Sequence, residues 1–106
     1  MIKKVNSSKV NGTSFWGGTI LCTKKELVEN FGNPQSSTDD TWEKVQNNWY
    51  LETTQGIVFT IYDWKEYREY QDDEIIEWHV GSFTKDDTLQ ALLEIYKETR
   101  LNVKKE

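Results

Sequence analysis

His79 is the only histidine in the chain, and Glu77 stands two residues before it. In a strand these two share a face. That pair could act as acid and base, with the carboxylate drawing the imidazole pKa upward. The simpler reading is a histidine packed among aromatics, touching a ligand without doing chemistry. Cys22 is the only cysteine. It precedes the helix-capping sequence Thr23-Lys24-Lys25-Glu26, where a small buried hydrophobe is expected in place of a nucleophile. Ser14, His79 and Asp63 could form a triad if the fold brought them together, but no nucleophile elbow is present. One His and one Cys, far apart, do not make a zinc site, so no metal is expected.

Two further groups of residues suit binding. Asn11-Gly12-Thr13-Ser14, followed by Gly17-Gly18-Thr19, offers backbone N–H groups and hydroxyls that can cradle a phosphate. It matches neither a P-loop nor a dinucleotide fingerprint, and it reads equally well as a bulged strand. Trp16, Tyr62, Trp64 and Trp78 supply ring faces on which a flat base can stack. Lys65 and Arg68 follow Trp64 and could reach a phosphate. Some of these rings must be core, Trp49 and Trp78 first.

The elements that would position these groups follow from periodicity. Ile57, Phe59 and Ile61, with Ile76, Trp78 and Val80, fall on one face of two strands. Thr60, Tyr62 and Trp64, with Glu77 and His79, fall on the other. A strand is expected over Thr13–Leu21, with Gly17-Gly18 marking a bulge. The capping box places a helix at about 24–31, ended by Gly32 and Pro34. Val45, Trp49 and Leu51 alternate with Asn48, Tyr50 and Glu52 as a second strand, and Gly56 closes a hairpin into Ile57–Trp64. Ile75–Phe83 is the fourth strand. Thr84 caps a second helix carrying Leu89, Leu92, Leu93 and Tyr96.

The expected fold is α+β: a four-stranded, mainly antiparallel sheet with two helices on one face, in the order β-α-β-β-β-α. Residues 1–11 read as a flexible or edge arm, 12–101 as one α+β domain, and 102–106 as a frayed tail. The open sheet face would then present Tyr50, Thr60, Tyr62, Trp64 and His79.

Composition sets the outer bounds. The chain has 106 residues, so one domain is expected. Its formal net charge of −5 argues against general affinity for nucleic acid or anionic lipid. No apolar run is long enough to span a membrane, and no signal peptide is evident. A cytoplasmic location is the expectation.

Four motifs occur in order: Gly12-Thr13-Ser14-Phe15, then Phe31-Gly32-Asn33-Pro34, then Thr60-Ile61-Tyr62-Asp63-Trp64-Lys65, then Trp78-His79-Val80-Gly81. In this respect the chain resembles a family of small bacteriophage proteins with a GTS-type start, an FGxP helix end, a TIYDWK strand and a WHxGG strand. Ser82 replaces the second glycine of the last motif. The resemblance spans most of residues 12–96. It implies a protein of the infected bacterial cytoplasm. It further implies a sponge that sequesters a nucleotide immune signal of the cyclic ADP-ribose type made by TIR-domain (Thoeris) enzymes. Such a protein would be a homo-oligomer without cofactor or catalysis. Thr13, Ser14, Lys65 and Arg68 would then meet phosphates, and Phe15, Trp16, Tyr62, Trp64 and His79 would line the base or ribose. The rival readings are a protein-binding inhibitor that docks the same aromatic face on a host enzyme, a degrading enzyme built on His79 and Glu77, and a structural phage component.

Overall fold

The computed structural model describes residues 1–106. Strand β1 (Lys3–Lys4) leads through a 3-10 turn (Ser7–Val10) into β2 (Ser14–Thr23) and helix α1 (Lys24–Phe31). Then come β3 (Ser36–Ser37), β4 (Asn47–Glu52), β5 (Val58–Tyr62), β6 (Ile75–Ser82), helix α2 (Lys85–Thr99) and β7 (Asn102–Lys105). The sheet order is β1-β4-β5-β6-β2-β7, with β3 also on β4, and every pairing is antiparallel.

The α+β class and the two helices agree with the sequence. The four-stranded sheet does not, since it has seven strands. The expected frayed tail is instead β7, which pairs along β2 from Leu21↔Asn102 to Gly18↔Lys105. Backbone groups of β2 that would otherwise face solvent gain partners there, which orders a segment with only one apolar residue. The N-terminal arm forms an edge strand, β1, against Leu51 and Glu52.

Both helices start where their caps dictate. Thr23 Oγ1 accepts from Glu26 N, while the Glu26 carboxylate accepts from Thr23 N, completing the capping box. Gly32, at φ +79°, ends α1. Thr84 Oγ1 accepts from Asp87 N at the start of α2, with Asp86 and Asp87 in the first turn.

One core lies between the sheet and the helices. Ile20, Trp49, Phe59, Ile61, Trp78 and Val80 from the sheet meet Leu27 of α1 and Ala91, Leu92 and Ile95 of α2. Trp49 and Trp78 are fully buried and packed edge to face, with ring centroids 5.5 Å apart. Their indole N–H groups donate to Gly32 O and Cys22 O, so neither is left unsatisfied. The Trp49 bond ties the end of α1 to β4. Gly18 lets α2 approach the sheet: a Cβ there would lie 2.5 Å from Thr88 Cγ2.

Candidate functional site

The strand register gathers the site on the sheet face away from the helices. Asn48 stands opposite Tyr62, Tyr62 opposite His79, His79 opposite Thr19, and Thr19 opposite Lys104. This row crosses β4, β5, β6, β2 and β7. Between Phe15 and Gly18 the register of β2 slips, as the Gly17-Gly18 pair predicts, and Phe15 pairs with Gly81. The slip sets the Phe15 ring against His79, with centroids 4.0 Å apart and planes at 17°. Trp64 stacks near-parallel to the same imidazole at 5.9 Å and 23°. Tyr62 meets both His79 and Trp64 edge to face. Phe15 and Trp64 remain 41% and 37% exposed, so their rings are available to a partner.

Gly81 is needed beneath this cluster. A Cβ there would come within 2.8 Å of Thr60 Oγ1 and 3.5 Å of the Tyr62 ring. Thr60 itself is buried, so the open face is narrower than the strand alternation suggests.

His79 is pulled below its ordinary pKa, first by burial; Glu77 and Glu106 oppose this without winning. The expected upward shift from Glu77 is therefore reversed. At neutral pH the imidazole is an uncharged ring within an aromatic cluster. Cys22 is buried, and its thiol is pushed up to about 12 by burial and by Glu26. It is a core side chain that holds its proton. The Ser14–His79–Asp63 combination does not assemble. Asp63 is buried and accepts from Gln46 N, Asn47 N, Asn47 Nδ2 and the Tyr70 hydroxyl. Tyr70 packs on Trp78, on the helix side of the sheet, whereas His79 faces the other way. No three His, Cys, Asp or Glu side chains converge as a metal-holding group.

The remaining candidates divide. Lys65 Nζ lies 5.4 Å from the Trp64 ring centroid, so it belongs to the cluster. Arg68 does not: it bonds Glu66 and Glu74 and lies over Tyr70. Thr13 donates its hydroxyl to Val10 O, and Trp16 donates its indole N–H to Ser82 O. Ser14 stands opposite Ser82, three residues or about 10 Å along β6 from His79. The hydroxyls at positions 13 and 14 and the cations at 65 and 68 therefore do not form one phosphate cradle.

Sequence reasoning missed two residues of the row and an exposed tryptophan on a neighbouring loop. Lys104 is brought beside Thr19 by β7. Asn48 has a buried Oδ1 with no hydrogen-bond partner in the protein. Trp42 is 86% exposed on the loop whose Lys44 carbonyl accepts from Lys65 N, beside the cluster. Only the alternation of β4 could have signalled Asn48, and no sequence pattern marks the other two.

No family model, curated protein or solved structure matches this chain. The site must be read from its own geometry.

That geometry is flat. Five surface clefts exist, and none is lined by Phe15, Tyr62, Trp64 or His79. The polar cleft of about 200 Å³ between Lys24, Thr38 and Tyr70 lies on the helix side, around the Asp63 network. The aromatic row is a stacking platform with a cation at each flank, Lys65 and Lys104. It can hold a planar group by its face.

Proposed function

We propose that the protein is a binding protein that sequesters a nucleotide-derived signal of the cyclic ADP-ribose type without altering it, as a phage countermeasure in an infected bacterium. The observation that carries the reading is the exposed stack of Trp64, His79 and Phe15. A base stacked on such rings gains about 1–3 kcal/mol. Lys65 and Lys104 would meet phosphates at either side. The neutral, stacked imidazole suits contact better than proton transfer. The resemblance to phage proteins in the Gly12, Phe31, Thr60 and Trp78 motifs supports the biological setting.

A flat face does not bury a ligand by itself. Homo-oligomerisation, with a second copy closing over the row, is therefore part of the proposal. The flatness also favours a second reading, a protein-binding inhibitor that sets the same aromatics on a host enzyme. Binding of cyclic and linear ADP-ribose derivatives and cyclic dinucleotides, followed by mass analysis of the released compound, tests the first reading. Capture of one host protein with no nucleotide binding would support the second.

A further inference from the structure

The edge of the sheet beyond β7 is built differently from the rest of the surface. β7 pairs only with β2, and its outer side has no strand beside it. Next to it, α2 carries Leu89, Leu93 and Tyr96 at helical spacing, each close to half exposed. With Leu92 and Val103 they line an apolar groove of about 230 Å³ that runs along the strand. Lys85 and Arg100 continue the same helical stripe at its two ends, and Arg100 lies over the Tyr96 ring at 5.1 Å. Lys104 and Lys105 stand on the strand itself. Asp86 and Glu106 are the acids at the Lys85 end, where a second cleft continues from the groove. The edge is thus cationic on balance in a protein of net charge −5.

We infer that this edge docks an acidic, extended peptide segment of a partner protein, which adds to β7 as a further antiparallel strand. Main-chain hydrogen bonds to β7 would supply affinity, and alternate side chains would give specificity. Apolar residues on one side of the added strand would fill the groove over Leu89, Leu93 and Tyr96. The alternate, acidic residues would face the other side of the sheet and meet Lys104, and acids at the two ends of the apolar run would meet Lys85 and Arg100. A second copy of this chain is a poorer occupant. Pairing β7 with itself would set Arg100, Lys104 and Lys105 of both chains along one seam, and like charges across a strand pair are destabilising. The groove lies on the helix side of the sheet, and Lys104 is the residue this edge shares with the aromatic row.

The test uses the full chain and a capped ten-residue peptide that alternates glutamate with valine or isoleucine, followed by amide NMR. Shifts confined to Asn102–Lys105 and to the Lys85–Arg100 stripe, with slowed exchange of β7 amides, are expected. Lys104→Glu and, separately, Leu93→Gln should each weaken binding about tenfold. Both positions are solvent-accessible, so the fold should persist. The same peptide with lysine in place of glutamate should not bind. Three results would overturn the inference: no shifts up to millimolar peptide, shifts centred on Phe15 and His79 instead, or a peptide-free protein that already self-associates through β7.

Discussion

The Phe15 ring lies 4.0 Å from the His79 imidazole with the two planes 17° apart. This contact exists because Trp16 and Gly17 bulge out of the β2–β6 ladder, so that Phe15 pairs with Gly81. Without these two extra residues Phe15 would stand opposite Phe83, two positions or about 7 Å further from His79 and beyond the end of β6. The bulge therefore sets one side of the stack, and Trp64, two residues beyond the end of β5, sets the other.

Trp64→Ala should weaken nucleotide binding by roughly tenfold or more, since it removes a stacking surface worth about 1–3 kcal/mol. The ring is partly exposed, so stability should change by less than about 1 kcal/mol. Lys65→Ala should weaken binding less and reduce its salt dependence. Titration calorimetry at two salt concentrations would separate the two effects. Unchanged affinity in the Trp64→Ala, Lys65→Ala double variant would remove the aromatic row from the account.

Asp63 is a structural anchor. Its carboxylate receives two backbone N–H groups, the Asn47 amide and the Tyr70 hydroxyl. Burial, followed by the bond to Asp63, pushes the Tyr70 phenol well above its ordinary pKa. Asp63→Ala should cost about 3 kcal/mol or more by orphaning several buried donors, and Tyr70→Phe about 1–2 kcal/mol. Chemical denaturation measures both.

Gly18→Ala and Gly81→Ala should each cost about 1–3 kcal/mol through overpacking. The first pushes Thr88 and helix α2 off the sheet. The second pushes Thr60 Oγ1 and strains the floor of the aromatic row. Only the second should also weaken ligand binding, and the comparison of melting temperature with affinity distinguishes them.

Protonating His79 should destabilise the fold. Its folded pKa lies below the ordinary 6.5, with burial as the largest cause. The contribution is therefore complete above about pH 6.5 and is lost as pH falls through the depressed folded value. Denaturation midpoints measured across pH 7.5 to 5 should decline in the wild type, and His79→Gln should flatten part of that decline. A wild type that gains stability on acidification in this window, with the gain absent from the variant, would reverse the sign.

Much of this arrangement was legible in the sequence. The Thr23–Glu26 capping box gives α1 its start, and Gly32 with Pro34 gives its end. The alternation in Ile57–Trp64 and Ile75–Ser82 separates core from open face, except that Thr60 on the open side is buried. What escaped were the short strands. β1 and β3 are two residues each, too brief for periodicity to register. β7 has only Val103 as an apolar residue and exists because β2 offers it an edge. Lys104 was hidden with it. At the site, Tyr62, Trp64, Lys65 and His79 do converge with Phe15. Arg68 was misplaced because the backbone turns at Lys65 and Tyr67, both at positive φ, and carries the loop toward Glu74 and the helix side. No strand pattern signals such a turn.

The most direct test of the central claim is equilibrium binding of cyclic ADP-ribose derivatives to the purified protein, followed by heat release and mass measurement of the ligand. The account predicts a bound compound recovered unchanged from the wild type, with binding lost in the Trp64→Ala, Lys65→Ala variant. Recovery of a converted product, or no binding of any ADP-ribose derivative or cyclic dinucleotide, would contradict it.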